Sequence, residues 1–248
     1  MLQNSDYPYL YETHLHTCTS SRCAKNTPIE MMKACKEAGY TGAIITEHNW
    51  YGNHCVDEEL AWADWITVFC KSYDEAKIWG EENDFDVFFG YEAFYGGAEF
   101  LIYGVDKEWL ITHPEIKDAS ASEQYKLIHE AGGIIVQAHP FREASYIPEV
   151  RLFPEWVDGV EGINAAHSNR KSGNAGHEQW DEKAIAYAKK HRLPMTAGSD
   201  VHSTNIFGGG MAFKRRLHSI QDFCKAIRED DYLLTNGDDW FNKQGEKL

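Results

Sequence analysis

The 248-residue sequence has no long apolar run and no Cys-x-x-Cys pair. No segment approaches the length that crosses a membrane, and residues 1–9 lack the basic and apolar regions of a signal peptide. The six cysteines are spread through a chain large enough to fold without disulfides, so we expect reduced thiols. These absences predict a soluble cytoplasmic protein that does not bind membranes.

Positive charge is also scarce. The sequence has 24 Lys and Arg residues against 39 Asp and Glu residues, which gives a formal net charge of −15. This excess disfavours binding to long nucleic acid or to an anionic membrane. A small phosphorylated substrate remains compatible, because a few local basic residues suffice to bind it. The sequence does not indicate the oligomeric state.

Three familiar catalytic patterns are missing. The run Gly208-Gly209-Gly210 lacks the Lys-Ser/Thr ending of a P-loop, which excludes a nucleotide triphosphate site of that kind, and we interpret it as a flexible loop. No Gly-x-Ser-x-Gly elbow of a serine hydrolase is present. None of the six cysteines has a recognisable catalytic context.

Strand-like and helix-like segments alternate along the chain. Thr27 as a cap, Pro28 at the first position and Gly39 past the end predict one helix clearly. The predicted helices cover 28–38, 57–83, 120–131, 178–191 and 219–230, and the predicted strands cover 9–11, 42–46, 86–91, 99–105, 133–138, 156–164, 193–198 and 232–235. Repeated alternation without a flexible linker predicts one α/β domain over 1–248, with its site at the carboxyl ends of the strands.

Potential metal ligands recur where the predicted strands end. His14 and His16 are two residues apart, so on a strand they share one face and can bind a single ion. Later apolar runs end in the same kind of residue, namely His48, Glu92, His139, Asp200 and His202. Five imidazoles and two carboxylates are too many for one tetrahedral ion and predict a polynuclear site for Mn, Zn or Fe. Paired metals of this kind suit phosphoester hydrolysis.

Five motifs, in this order, resemble those of the PHP (polymerase and histidinol phosphatase) superfamily: Glu12-Thr-His14-Leu-His16-Thr, Ile45-Thr-Glu47-His48-Asn49, Gly90-Tyr-Glu92, Ala138-His139-Pro140 and Gly198-Ser-Asp200-Val-His202-Ser. The resemblance covers nearly the whole chain and implies a distorted (β/α)7 TIM-like barrel with two or three divalent metal ions. It implies that His14, His16, Glu92 and Asp200 hold one metal, that Glu92 bridges to a second held by His139, and that His48 and His202 serve a third.

The sequence departs from the family pattern after His16. Family members usually carry an Asp or His there as a further ligand of the third metal, whereas this chain reads Ser20-Ser21-Arg22-Cys23-Ala24-Lys25. Arg22 cannot ligate a metal. We hypothesise that Arg22 or Lys25 supplies positive charge in place of that ion and helps to bind phosphate. A second departure is Glu47, where an Asp is usual.

Two further residues have open interpretations. His167 follows a strand end and is either the remaining ligand of the second metal or an exposed loop histidine, with Asn164 as the alternative contact. Arg142 either binds phosphate oxygens through its planar guanidinium or forms a surface ion pair, and the resemblance favours phosphate binding. Asp200 and His202 are the candidate catalytic residues, and the leaving-group proton comes from His202, His167 or a metal-bound water.

The predicted function is that of a metal-dependent phosphatase, in which a metal-activated water hydrolyses a small phosphomonoester. Two alternatives remain at this stage. One is a phosphodiesterase or nuclease that acts on nucleotides or short oligonucleotides, and the other is a non-catalytic, metal-binding regulatory protein.

Overall fold

The computed structural model describes residues 4–145, 147 and 149–248, and within them the chain forms one curled, ten-stranded sheet. The strands are β1 (Tyr9–Leu15), β2 (Gly42–His48), β3 (Asp86–Tyr95), β4 (Ala98–Tyr103), β5 (Ile134–Gln137), β6 (Gly159–Asn164), β7 (Met195–Gly198), β8 (Gly209–Phe213), β9 (Tyr232–Asn236) and β10 (Trp240–Asn242). The helices are α1 (Pro28–Glu37), α2 (Trp62–Phe69), α3 (Lys71–Glu82), α4 (Lys107–Thr112), α5 (Ala121–Glu130), α6 (Ala165–Ser168), α7 (Glu178–His191) and α8 (Ile220–Glu229), with a 3-10 helix at Pro114–Lys117.

Strands β1 to β7 stand side by side in chain order, while β8, β9 and β10 extend the sheet from the other edge of β1. The sheet curls until β7 packs against β1 and β8, and a parallel bridge joins Leu15 to Val201. Most pairs among the first seven strands are parallel, but β4 runs antiparallel to both β3 and β5. The mixed α/β architecture is confirmed. The strict (β/α)7 repetition is not, because β3 and β4 are joined without a helix.

Local chemistry explains where several helices begin. Thr27 and Ser120 each accept a hydrogen bond from the backbone of a glutamate three residues later, and that glutamate bonds back, so α1 and α5 begin with complete capping boxes. The segment predicted as one helix over 57–83 is instead two helices, α2 and α3, that meet at Cys70. Its apolar residues keep three- and four-residue spacings through Cys70, so the pattern does not mark the break.

The glycine run at 208–210 was wrongly interpreted as a flexible loop. Gly209–Phe213 is strand β8 and pairs antiparallel with β1. A Cβ atom on Gly210 would lie 2.3 Å from the carbonyl oxygen of Tyr11, and the φ angle of this glycine is +150°. Glycine is therefore required because the two backbones approach so closely.

The buried core holds the strand ends in fixed positions. Every residue of β2, β6 and β7 is buried, and Tyr11, Phe88 and Phe213 pack together beneath the first strands. These strands therefore deliver their carboxyl-terminal side chains to one end of a rigid scaffold. Among the described residues, no helix combines the length and apolar character required for a membrane span.

Candidate metal centre

The predicted strand-end residues converge around the carboxylate of Glu92. His14 Nε2 and His139 Nε2 lie 3.3 Å and 3.1 Å from Oε1 of this glutamate. His48 Nδ1 and His16 Nε2 lie 2.8 Å and 3.5 Å from its other oxygen, Oε2. The glutamate is only 1% exposed. One buried carboxylate thus faces four imidazoles, from the end of β1, the end of β2 and the turn after β5, as a bridging ligand would.

Asp200 approaches the same imidazoles from the turn after β7. Its Oδ1 atom lies 3.5 Å from His14 Nε2 and 3.4 Å from His16 Nε2, and its Oδ2 atom lies 4.0 Å from His139 Nε2. Oδ2 also accepts a hydrogen bond from the guanidinium of Arg142. Glu92, on β3, and Asp200, after β7, therefore both lie close to His14 and His16.

The donor set fits metal ions. His14 Nε2 and His16 Nε2 are buried without a hydrogen-bond partner, although buried polar atoms normally have one. Nitrogen and carboxylate oxygen are also the donors that divalent transition metals bind. Four groups have ligand atoms within 4.8 Å of one another: His14, His16 and Glu92; His14, His139 and Asp200; His16, His48 and His202; and His48, Glu92 and Glu99.

Backbone strain accompanies two of these residues. His139 and Asp200 have φ angles of +25° and +52°, in a region that side-chain-bearing residues seldom occupy. Both follow immediately on short strands, where the chain turns sharply toward the cluster. Strain of this kind is typical of positions where the fold holds a functional side chain in place.

Second contacts orient the histidine rings. Glu161 Oε1 lies 2.9 Å from His14 Nδ1, and Ser21 Oγ lies 3.3 Å from His16 Nδ1. In each ring the remaining nitrogen, Nε2, therefore points into the cluster. Carboxylate partners of this kind fix the tautomer of metal-binding histidines. Glu161 was not identified from the sequence, although a fully buried carboxylate inside an apolar strand was a signal.

The surrounding charges shift the pKa values of His14 and His16 in opposite directions. Burial lowers the pKa of His14, but the charges of the surrounding carboxylates outweigh burial and raise its pKa well above the usual value. Burial and two neighbouring imidazoles lower the pKa of His16 well below its usual value. Burial raises the pKa of Glu92, yet nearby histidine charges hold it well below normal. Without a cation, a protonated His14 supplies the positive charge that these carboxylates favour. A bound cation would supply that charge instead.

His167 is buried in α6, which excludes the alternative of an exposed loop histidine. Its Nδ1 atom lies 3.3 Å from Asp181 Oδ1, and its Nε2 atom accepts a hydrogen bond of 3.0 Å from Nε of Arg142. Burial, followed by the charge of Arg142, lowers the pKa of His167 to about 2. The ring is therefore neutral and has a lone pair on Nε2, the protonation state of a metal ligand. Asn164 instead caps α6 and donates to Glu161.

In the loop after His16, Cys23 faces the cluster, whereas we expected Arg22 or Lys25 there. Arg22 and Lys25 are exposed, and the charge of Arg22 acts on His54 and Cys55. Cys23, between them, is half-buried with its Sγ atom 3.2 Å from Nε2 of His48. Nothing in the sequence indicated this contact between Cys23 and His48.

A cavity of about 770 Å³ opens beside the cluster. Glu92, Asp200 and Arg142 reach its wall, and Tyr51 and Phe94 add aromatic surface. Glu99 on β4 also lines it, with Oε2 lying 3.6 Å from His139 Nε2. Glu99 was not identified from the sequence, because it stands near the beginning of its strand rather than at the end.

Comparisons with known proteins agree with this fold. A family model described as PHP-associated matches residues 178–232. The fold is similar to that of a two-domain protein from Bacteroides vulgatus containing a predicted PHP-like metal-dependent phosphoesterase, with a TM-score of 0.67, 14% identity, and coverage of 94% of this chain and 66% of that one. The chain thus spans slightly less than two thirds of that protein.

Two further structures share the fold at 16% identity. One is a candidate metal-dependent phosphoesterase from Bifidobacterium adolescentis, with a TM-score of 0.53 and coverage of 81% of this chain and 90% of that one. The other is an amidohydrolase from Chromobacterium violaceum, with a TM-score of 0.55 and coverage of 79% and 88%. A comparison with curated proteins gave no match. The match of the PHP-associated model and the shared fold with PHP-like structures agree with the resemblance to the PHP superfamily.

Proposed function

We propose that the protein is a metal-dependent phosphoesterase that hydrolyses a small phosphomonoester. The observation that carries this proposal is the burial of His14 Nε2 and His16 Nε2 without hydrogen-bond partners, beside two carboxylates and next to a cavity that Arg142 lines. Two or three divalent ions of Mn, Zn or Fe, held by the predicted ligands, would polarise the phosphoryl group and activate a water. His139 would hold the ion farther from β1, and His167 would join it only by exchanging its hydrogen bond from Arg142 for the ion.

Arg142 is the residue that binds the phosphoryl oxygens in this proposal. Its guanidinium contacts Asp200 and His167, so its direction at the cavity wall is fixed. The side chain is 16% exposed and lines the cavity. A planar guanidinium can form two parallel hydrogen bonds to a phosphate. Asp200 and His167 both lie in the candidate site, unlike the partners of an ordinary surface ion pair.

In this proposal, Asp200 and His202 position other groups of the site. Asp200 orients Arg142 and faces both histidines of β1. His202 Nδ1 lies 2.8 Å from the carbonyl oxygen of Asp200, to which it donates. The Nε2 atom of the ring is then left to bind a metal ion in this proposal, and the proton for the leaving group would come from water.

The cavity favours a small substrate. Its volume of about 770 Å³ lies within the range of small-molecule sites, and Tyr51, Phe94 and Asn174 form part of its wall. The net charge of −15 disfavours long nucleic acid. The amidohydrolase from Chromobacterium violaceum has a bound sulfate, and a sulfate has the tetrahedral oxyanion geometry of a phosphate group. This likeness supports an oxyanion substrate for the present chain.

The test is hydrolysis by metal-reconstituted protein. Chelator-treated protein supplied with Mn²⁺, Zn²⁺ or Fe²⁺ should hydrolyse p-nitrophenyl phosphate faster than bis-p-nitrophenyl phosphate or a labelled short oligonucleotide. His16→Gln and Asp200→Asn should abolish this activity, and the exposed Glu229→Gln should retain it. Preference for the diester or oligonucleotide would support the phosphodiesterase alternative. Metal binding without hydrolysis of any phosphoester would support the regulatory alternative.

A further inference from the structure

The loop that follows β1 holds one thiol in a fixed position. Backbone hydrogen bonds join Cys18 to Asn26 at 2.9 Å, Arg22 to Asn53 at 2.9 Å, and Lys25 to the carbonyl oxygen of His202 at 2.8 Å. The loop is therefore anchored at both ends and in the middle. Cys23 turns inward between two exposed basic residues, and it lines the cavity.

Two imidazoles meet this thiol. Sγ of Cys23 lies 3.2 Å from His48 Nε2 and is also hydrogen-bonded with His202. His48 directs its Nδ1 atom to Glu92, and His202 directs its Nδ1 atom to a backbone carbonyl. The Nε2 atoms of both rings can therefore bind an ion that lies beside the sulfur of Cys23.

The ring of His16 lies alongside the same two imidazoles. Its centroid is 4.3 Å from that of His48 and 4.4 Å from that of His202, and ligand atoms of the three residues lie within 4.8 Å of one another. His16 Nε2 is fully buried and has no hydrogen-bond partner. His16 Nε2 also lies 3.4 Å from Asp200 Oδ1, so this ring stands between the carboxylate side and the sulfur side of the cluster.

We propose that Cys23, His48 and His202 bind a divalent cation, with the sulfur of Cys23 as a thiolate ligand. The inference rests on the proposed metal-dependent function and specifies one of its ions. On binding, the thiol loses its proton to solvent and a sulfur–metal bond forms, without any change in oxidation state. Arg22 is then not needed as a substitute for a missing ion, because the next residue provides the ligand.

The distances suit this assignment. Zinc lies about 2.3 Å from thiolate sulfur and about 2.0 Å from imidazole nitrogen, so tetrahedral ligands are roughly 3.5 Å apart. The observed sulfur-to-nitrogen distance of 3.2 Å needs an adjustment of only a few tenths of an ångström. Thiolate is a soft ligand and favours Zn²⁺ or Fe²⁺ over Mn²⁺ or Mg²⁺. The position would therefore select a softer metal than the carboxylate-rich position around Glu92 and Asp200.

Cobalt substitution tests the thiolate directly. The full chain, freed of metal with a chelator and titrated with Co²⁺, should develop a sulfur-to-cobalt charge-transfer band in the near ultraviolet. Cys23→Ser should lose the band. Cys23→Asp should also lose it while still binding as much cobalt as the wild type, because a carboxylate can replace the thiolate as a ligand. Cys55→Ser is the matched control, since Cys55 is an exposed thiol near the same loop, and it should keep the band.

Alkylation provides a second readout that does not depend on cobalt. Zn²⁺ should slow the reaction of Cys23 with iodoacetamide by about tenfold or more and leave Cys55 unaffected, as measured by peptide mass spectrometry. A band that persists in Cys23→Ser, or Cys23 alkylation that Zn²⁺ does not slow, would overturn the proposal. Phosphomonoester hydrolysis without the band would refute the thiolate ligand alone. The band without hydrolysis would refute the proposed function alone.

Discussion

Glu161 Oε1 lies 2.9 Å from Nδ1 of His14, and both side chains are completely buried. The carboxylate also accepts a hydrogen bond of 3.0 Å from the backbone of His139 through its other oxygen. One side chain beneath the cluster thus positions residues from two different strand ends. It does so without reaching the cavity.

This relationship predicts the effect of Glu161→Gln. The amide keeps the size of the side chain but removes the charge that fixes the His14 tautomer, so metal affinity should fall by about 10- to 100-fold. Competition with a chromophoric chelator measures the affinity, and circular dichroism checks the fold. Glu229→Gln, on the exposed surface of α8, is the control. An affinity equal to that of the wild type in a folded Glu161→Gln variant would contradict the positioning role.

Metal removal should destabilise the protein. The cluster brings Glu92 and Asp200 together in the interior, and a bound cation offsets their repulsion. At a free metal concentration 100 times the Kd, binding stabilises a folded protein by about 2.7 kcal/mol. Scanning fluorimetry should show a lower Tm after chelation and recovery with Mn²⁺ or Zn²⁺. A Tm that does not respond to either treatment would argue against a metal site.

Arg142 should affect substrate binding more strongly than the fold. Arg142→Met removes the proposed phosphate contact, so KM for p-nitrophenyl phosphate should rise by about tenfold or more, consistent with the loss of one charge-assisted pair. Arg142→Lys keeps the charge but loses the planar fork, and its KM should lie between the two. Steady-state kinetics at saturating metal measure both variants. Equal KM values for all three proteins would show that Arg142 does not bind the substrate.

Gly210 tests the close approach of β8 to β1. Gly210→Ala would place a Cβ atom 2.3 Å from the Tyr11 carbonyl, and it should lower the free energy of unfolding by about 1–3 kcal/mol. Gly39→Ala is the matched control. Gly39 also has a positive φ of +92°, but a Cβ atom there has open space, so the loss should be about 1 kcal/mol. Urea unfolding compares the two, and a smaller loss at Gly210 would contradict the steric account.

Much of the candidate centre could be predicted from the sequence because its donors end apolar strands. Parallel strands bring such ends together, so His14, Glu92 and Asp200 could be grouped before the fold was known. Cys23 could not, since it lies in a loop whose path depends on backbone bonds to distant segments such as Asn53. Glu161 was missed because it lies within a strand and acts through His14.

Most elements of the fold could likewise be predicted from the sequence, and a few could not. The capping residues and apolar runs predicted most strands and helices. Strand β8 was missed because glycines usually break strands, and here they allow close contact with Tyr11. The break at Cys70 was missed because the amphipathic pattern continues through it. In both places tertiary packing outweighs local preference.

Anomalous scattering from crystals grown with Zn²⁺ or Mn²⁺ tests the central claim most directly. The account predicts peaks at coordinating distance, about 2.0–2.3 Å, from the side chains of His14, His16, Glu92 and Asp200, with Glu92 shared between ions. Peaks confined to other parts of the protein, or a cluster without peaks in metal-saturated crystals, would contradict it.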